Sequence, residues 1–168
     1  MLKFVKTEPC DETIVVEGYF AVTPAQMFEA WTNPEIIKKW FGRRPNSLHS
    51  AEVDLRVGGA WRFLKSSDKE KAVGFEGEYF EIELNRKLVF SWSLSVTFVD
   101  GVKELKPASR VEVVFSPNGV GTNVVLYHSS IQTDQDRCGF GGGWEIAFSS
   151  LAGFCQSLRP FNALQRNR

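Results

Sequence analysis

Two histidines, three cysteines and a few charges set inside apolar strands are the residues of this 168-residue chain whose types could do chemistry. His128 ends the run Thr122 to His128, in phase with Val124 and Leu126, so it shares the face those residues bury. An imidazole in that place is either a polar anchor or general base for a bound molecule, or a half-buried histidine whose nitrogens are satisfied internally. His49 falls in a loop, where the second reading is stronger. Ser129 follows His128 directly and points to the opposite face of the strand, so the two cannot form a simple pair. No GxSxG nucleophile elbow occurs. Cys10, Cys138 and Cys155 are widely spaced, and no CxxC, HxxxH or HExxH pattern exists, so no metal site is assigned. Cys155 reads as a small buried hydrophobe. Glu76, Glu78, Arg62 and Arg110 sit within apolar strands, where charges ordinarily face solvent. Glu78 shares a phase with Phe80 and Ile82, and if it pointed inward it would need a partner such as Arg62. The glycine run GFGGGW at 139–144 lacks the Lys-Ser/Thr of a phosphate loop and follows no parallel βα unit. No residue is assigned a catalytic role and no cofactor is implied.

Composition narrows the classes further. Hydrophobic residues make up 43% and charged residues 24%, as in a globular domain. Lys plus Arg equals Asp plus Glu at 20 each, without the basic excess of a nucleic-acid binder. Zero net charge favours self-association, so a homodimer is a candidate state. Fourteen Phe, five Trp and three Tyr call for a bulky core or for space lined by rings. The polar N-terminus is no secretory signal, and no apolar run approaches the roughly 18 residues of a membrane span. A reduced, cytoplasmic setting is the expectation.

These residues must be positioned by one domain over residues 12–161, with tails at 1–11 and 162–168. Glu12 to Phe20 is a β-branched and aromatic strand. Thr23-Pro24 and Asn33-Pro34 are both helix starts, an N-cap followed by Pro. They predict short helices over Ala25 to Trp31 and Glu35 to Phe41. Strands follow at Ala51 to Leu55, Ala60 to Lys65, Val73 to Leu84, Lys87 to Ser95, Ser109 to Phe115 and Thr122 to His128. The third of these changes phase: Phe75, Gly77 and Tyr79 share one face, and Phe80, Ile82 and Leu84 the other. A bulge or strong bend would reconcile them. Consecutive hairpins imply an antiparallel meander. Near the end, Trp144, Phe148, Leu151, Cys155 and Leu158 recur at helical spacing. Four glycines upstream, at 139 and 141–143, predict a soft or kinked first stretch.

As a set these pieces resemble the family of activators of heat-shock protein 90 ATPase homologues, within the SRPBCC or START-like superfamily of helix-grip folds. The matching residues are Phe20 to Pro24 with Phe28 and Trp31; Asn33-Pro34 with Trp40; Asp54 to Arg56 with Gly58-Gly59; Gly77 to Tyr79; Arg86 to Trp92; and Gly143-Trp144. The resemblance implies an α+β fold: a curved seven-stranded antiparallel sheet around a long C-terminal helix, with two short helices after the first strand. It also implies a cavity between sheet and helix that holds a hydrophobic small molecule or lipid.

The expected lining from the helix is Trp144, Phe148, Leu151 and Cys155. From the sheet it is Trp61, Phe63, Phe75, Tyr79, Phe90, Trp92, Val113, Phe115 and Leu126, with Glu78 and His128 as polar anchors. Two alternatives come with the family. One is a stress-related module that contacts a chaperone and regulates its ATPase. The other is a cyclase- or hydrolase-like enzyme using His128 or Glu78 as acid or base.

Overall fold

A computed structural model describes residues 5–6 and 12–158, and the side chains of 12–158. The chain runs β1 (Val5–Lys6), β2 (Ile14–Phe20), α1 (Pro24–Thr32), α2 (Pro34–Trp40), β3 (Ser50–Val53), β4 (Ala60–Ser67), β5 (Lys71–Glu83), β6 (Lys87–Phe98), β7 (Lys103–Leu105), β8 (Ser109–Asn118), β9 (Gly121–Ser129) and α3 (Asp134–Ser157). All pairings are antiparallel, in the order β1-β2-β9-β8-β6-β5-β4-β3, with β7 also on β6. This is the expected helix-grip plan with two short strands added. β1 lies in the stretch read as a tail, and β7 in the loop read as irregular up to Pro107.

Local chemistry sets the elements. Thr23 caps α1 by accepting from the Gln26 amide, and the Gln26 side chain accepts from the Thr23 amide in return. Asn33 closes α1 and caps α2 through the Glu35 amide. The pair of helices buries Met27, Phe28, Trp31, Ile37 and Trp40 against the sheet. The Trp40 indole N–H donates to the Ala30 carbonyl at 2.8 Å, tying α2 to α1.

The phase change in β5 is a bulge. Tyr79 stands opposite Phe90 and Glu81 opposite Val89, so Phe80 is the extra residue. It resolves the pattern differently from two alternating faces: Tyr79 and Ile82 pack on the core, while Phe80 and Leu84 are exposed. Glu78 lies before the bulge and is exposed on the outer face, so the expectation of an inward carboxylate is overturned. Arg62 stands opposite Glu52 and Glu76, not Glu78.

Despite its glycines, α3 is one unbroken run of helix. Thr133 caps it, accepting from the Asp136 amide, and the Arg137 guanidinium donates to the Ile131 carbonyl at 2.8 Å. Its C-terminal half buries Phe148, Leu151, Ala152 and Cys155, and α3 packs chiefly on β2 and α2. The edge of Phe20 meets Phe148 at 5.9 Å between ring centres.

Candidate ligand cleft

The interior between the sheet and the C-terminal half of α3 is filled. Val113, Phe115, Leu126, Phe148 and Leu151 are at most 2% exposed, and burial pushes the Cys155 thiol up to about 12. These six expected lining residues are core. Nearer the middle of the sheet, Trp61, Phe63, Tyr79, Phe90, Trp92 and Trp144 border a void of about 10 Å³ with Trp31, Trp40 and Phe41. That is room for about one water. The ring total therefore goes mostly into packing: Trp61 lies 5.2 Å from Trp92 and 4.7 Å from Phe63.

Space opens at the other end of the helix. A cleft of about 730 Å³ lies between the first half of α3, the inner face of β4 to β6, and the chain leaving α2. Its aromatic walls are Phe41, Phe75, Trp92, Phe140 and Trp144, and Leu94, Ile146 and Ala147 add aliphatic surface. Along α3 the lining positions include 135, 139, 142 and 146, a spacing that keeps them on one face. A side chain begun at Gly139, Gly142 or Gly143 would meet nothing within 4 Å. The glycines thus keep this face low, and the cleft wide. A second chamber of about 280 Å³ adjoins the first and shares Trp92, Leu94, Asp136 and Phe140 with it.

Trp92 is the hub of the walls. Its ring centre is 4.4 Å from Phe75 at 30°, and 4.9 Å from Trp144. Behind Trp92 and Trp144 sits His128, fully buried. The Trp144 indole N–H donates to His128 Nδ1 at 3.0 Å. An indole nitrogen can only donate, so Nδ1 is the acceptor and Nε2 carries the proton. Nε2 then donates to Ser109 Oγ at 2.6 Å, and Ser109 donates to the Trp92 carbonyl at 3.0 Å. Phe140 stacks on the imidazole at 5.1 Å and 23°. Burial lowers the His128 pKa to about 3. The imidazole is neutral, both nitrogens are used, and ring faces cover it. It anchors the cleft's wall rather than the occupant, which corrects the expectation of His128 as a ligand contact or general base.

Of the residues expected to line a cavity, Phe75, Trp92 and Trp144 line this cleft. Sequence reasoning missed Phe41, Arg43, Lys65, Leu94, Phe140 and Ile146. Lys65 had a readable signal, since it continues the inward phase of Trp61 and Phe63 to the open end of β4. Cys138 also lines the cleft and is disulfide-bonded, against the reduced thiol expected, whereas Cys155 is free and buried. Among the described residues no cluster of His, Cys, Asp and Glu could hold a metal ion, and no helix is long and apolar enough to cross a membrane.

The family model described as activator of Hsp90 ATPase homolog 1-like protein matches residues 21–156. The chain belongs to this family. The match spans α1 through nearly all of α3, hence the whole cleft. Solved structures agree on the fold. Protein Ms6760 from Mycobacterium smegmatis superposes with a TM-score of 0.72 at 16% identity, covering 95% of this chain and 100% of that one. A protein from Rhodobacter sphaeroides gives 0.70 at 18% identity, over 94% and 99%. CalU16 from Micromonospora echinospora gives 0.61 at 24% identity, over 97% and 88%. No curated protein matches significantly.

Proposed function

We propose that the protein binds a hydrophobic small molecule in the cleft between the first half of α3 and strands β4 to β6. The observation that carries this reading is the cleft itself: about 730 Å³ with aromatic walls, within the roughly 300–1,000 Å³ of small-molecule pockets. The glycines of α3 support it. Each of Gly139, Gly142 and Gly143 weakens the helix by about 1 kcal/mol relative to Ala, and open space at each position means that packing does not demand them. An occupant does. The acid–base alternative loses both of its candidate residues, because Glu78 is exposed on the outer face and His128 is sealed behind the wall. The homodimer, the chaperone contact and the cytoplasmic setting expected from sequence are not needed for binding of this kind, since the cleft forms within one chain.

Native mass spectrometry of the purified protein tests the reading, followed by extraction of whatever is bound and a thermal-shift screen with hydrophobic compounds. A compound released on denaturation, and absent from a Gly142→Leu/Gly143→Leu variant that still folds, is the expected result. Wild-type protein that carries nothing and responds to no compound would overturn it, as would equal binding by the filled variant.

A further inference from the structure

We propose that the occupant is a flat aromatic acid, packed against the Phe75–Trp92 wall with its anionic group held between Lys65 and Arg43. This deepens the binding reading above and rests on it. Three kinds of observation converge: the sign of the charge at the cleft, the way the backbone delivers it, and the kind of wall beside it.

The charged residues that line the cleft are Arg43, Lys65 and Asp136. Asp136 is already neutralised, with the Lys106 ammonium 3.1 Å away. Neither Arg43 nor Lys65 has an ion-pair partner among the described residues. The apolar walls therefore end in two uncompensated cations.

Both cations are delivered by irregular backbone. Leu64 pairs with Gly74 and Ser66 with Val73, so Lys65 is the extra residue of a bulge in β4. A bulge leaves its extra residue unpaired in the ladder, and Lys65 keeps the inward phase of Trp61 and Phe63. Here the Lys65 ammonium lies over the Phe75 ring, 5.4 Å from its centre. Arg43 follows Gly42, whose φ of 114° is closed to ordinary side chains. That glycine turns the chain out of α2 and sets Arg43 on the cleft beside Phe41.

The wall selects a ring over a chain. Phe75 and Trp92 lie at 30° to one another, and Phe41 and Trp144 approach Trp92 at 6.1 Å and 4.9 Å. Aromatic surfaces reward another ring with stacking and edge contacts beyond simple area burial. A ring system packed against the rim of Phe75 also brings a carboxylate or sulfonate within reach of the Lys65 ammonium.

Two fluorescent probes separate charge from shape: anilinonaphthalene sulfonate and its uncharged relative phenylnaphthylamine. The intact protein should bind the sulfonate about tenfold more tightly at low salt, with the advantage shrinking as salt is added. In an Arg43→Gln/Lys65→Gln variant the advantage should vanish, so that the two probes bind about equally at every salt concentration. Equal affinities in the intact protein, or an advantage that survives the double substitution, would overturn the anionic half of the proposal. Displacement of the probe by pyrene carboxylate should exceed displacement by palmitate; the reverse order would put an aliphatic chain in the cleft and overturn the aromatic half. In either case the neutral probe still binds and is still excluded by Gly142→Leu/Gly143→Leu, so the binding reading stands. If neither probe binds, or the filled variant binds both as well as the intact protein does, that reading fails as well.

Discussion

His128 shows how one side chain can look functional in sequence and serve as structure. Its phase on β9 points it inward, as expected, but the chain Trp144 to His128 to Ser109 to the Trp92 carbonyl uses both ring nitrogens. Among the described residues the ring meets Ser109, Trp92, Phe140 and Trp144, none of which titrates in the acid range. Burial alone holds the pKa at about 3, below the roughly 6.5 of an unfolded chain. Between those values the unfolded state binds the extra proton, so stability must rise with pH there and fall as acid is added. We expect His128 to contribute a loss approaching about 1.4 kcal/mol per pH unit below pH 6. Chemical denaturation from pH 7 to pH 4 should show that slope in the intact protein and a shallower one in His128→Asn. Parallel curves would mean that the imidazole is not held neutral. Near-ultraviolet circular dichroism should also change in the variant, because the Trp144 indole and the Phe140 ring lose the imidazole they pack on.

At the scale of the element, α3 divides into two halves with opposite duties. The second half packs tightly, with Phe148 and Leu151 at 0% exposure. The first half is glycine-rich and borders space. A Gly142→Ala change should therefore stabilise the protein by about 0.5–1 kcal/mol, because its methyl meets nothing within 4 Å. The same change narrows the cleft, so affinity for its occupant should drop as stability rises, a trade expected where a site keeps helix-weakening residues. Paired urea melts and binding titrations would measure both, and a gain in stability with unchanged affinity would sever the glycines from the cleft. The periodicity of Trp144, Phe148, Leu151 and Cys155 made the packing half legible in sequence. The open half was less legible: its glycines read as a soft or kinked helix, and the helix expected there is present without a break, but the run alone did not show that the cleft lies beside it. The bulges divide in the same way. The one at Phe80 announced itself through a phase change, whereas the one at Lys65 lies next to a polar hairpin and left no such mark.

At the scale of the molecule, caps, turns and alternation gave the plan of sheet and helices, since each is written within a few residues of where it acts. The position of the cavity was not written locally. Whether rings meet or stand apart depends on how far α3 rides from β4 to β6, and that distance is set by contacts of α3 with β2 and α2 on the other side of the fold. Hence Leu151, expected in a ligand pocket, is core, and the pocket lies at the opposite end of the helix. Two substitutions distinguish the ends. Leu151→Ala removes a fully buried side chain and should destabilise the protein by about 2–5 kcal/mol, lowering Tm by roughly 2–4 °C per kcal/mol for a domain of this size. Ligand affinity, measured well below that Tm, should hardly change, because the residue does not border the cleft. Gly142→Leu/Gly143→Leu should do the reverse, leaving the fold standing and closing the cleft. Saturating ligand at about 100 times its Kd adds about 2.7 kcal/mol to any chain that binds it. The Tm gain on adding ligand should therefore persist in Leu151→Ala and disappear in the doubly substituted chain. A gain lost in Leu151→Ala and kept in the glycine variant would return the ligand to the core between sheet and helix, where the packing leaves no room for one.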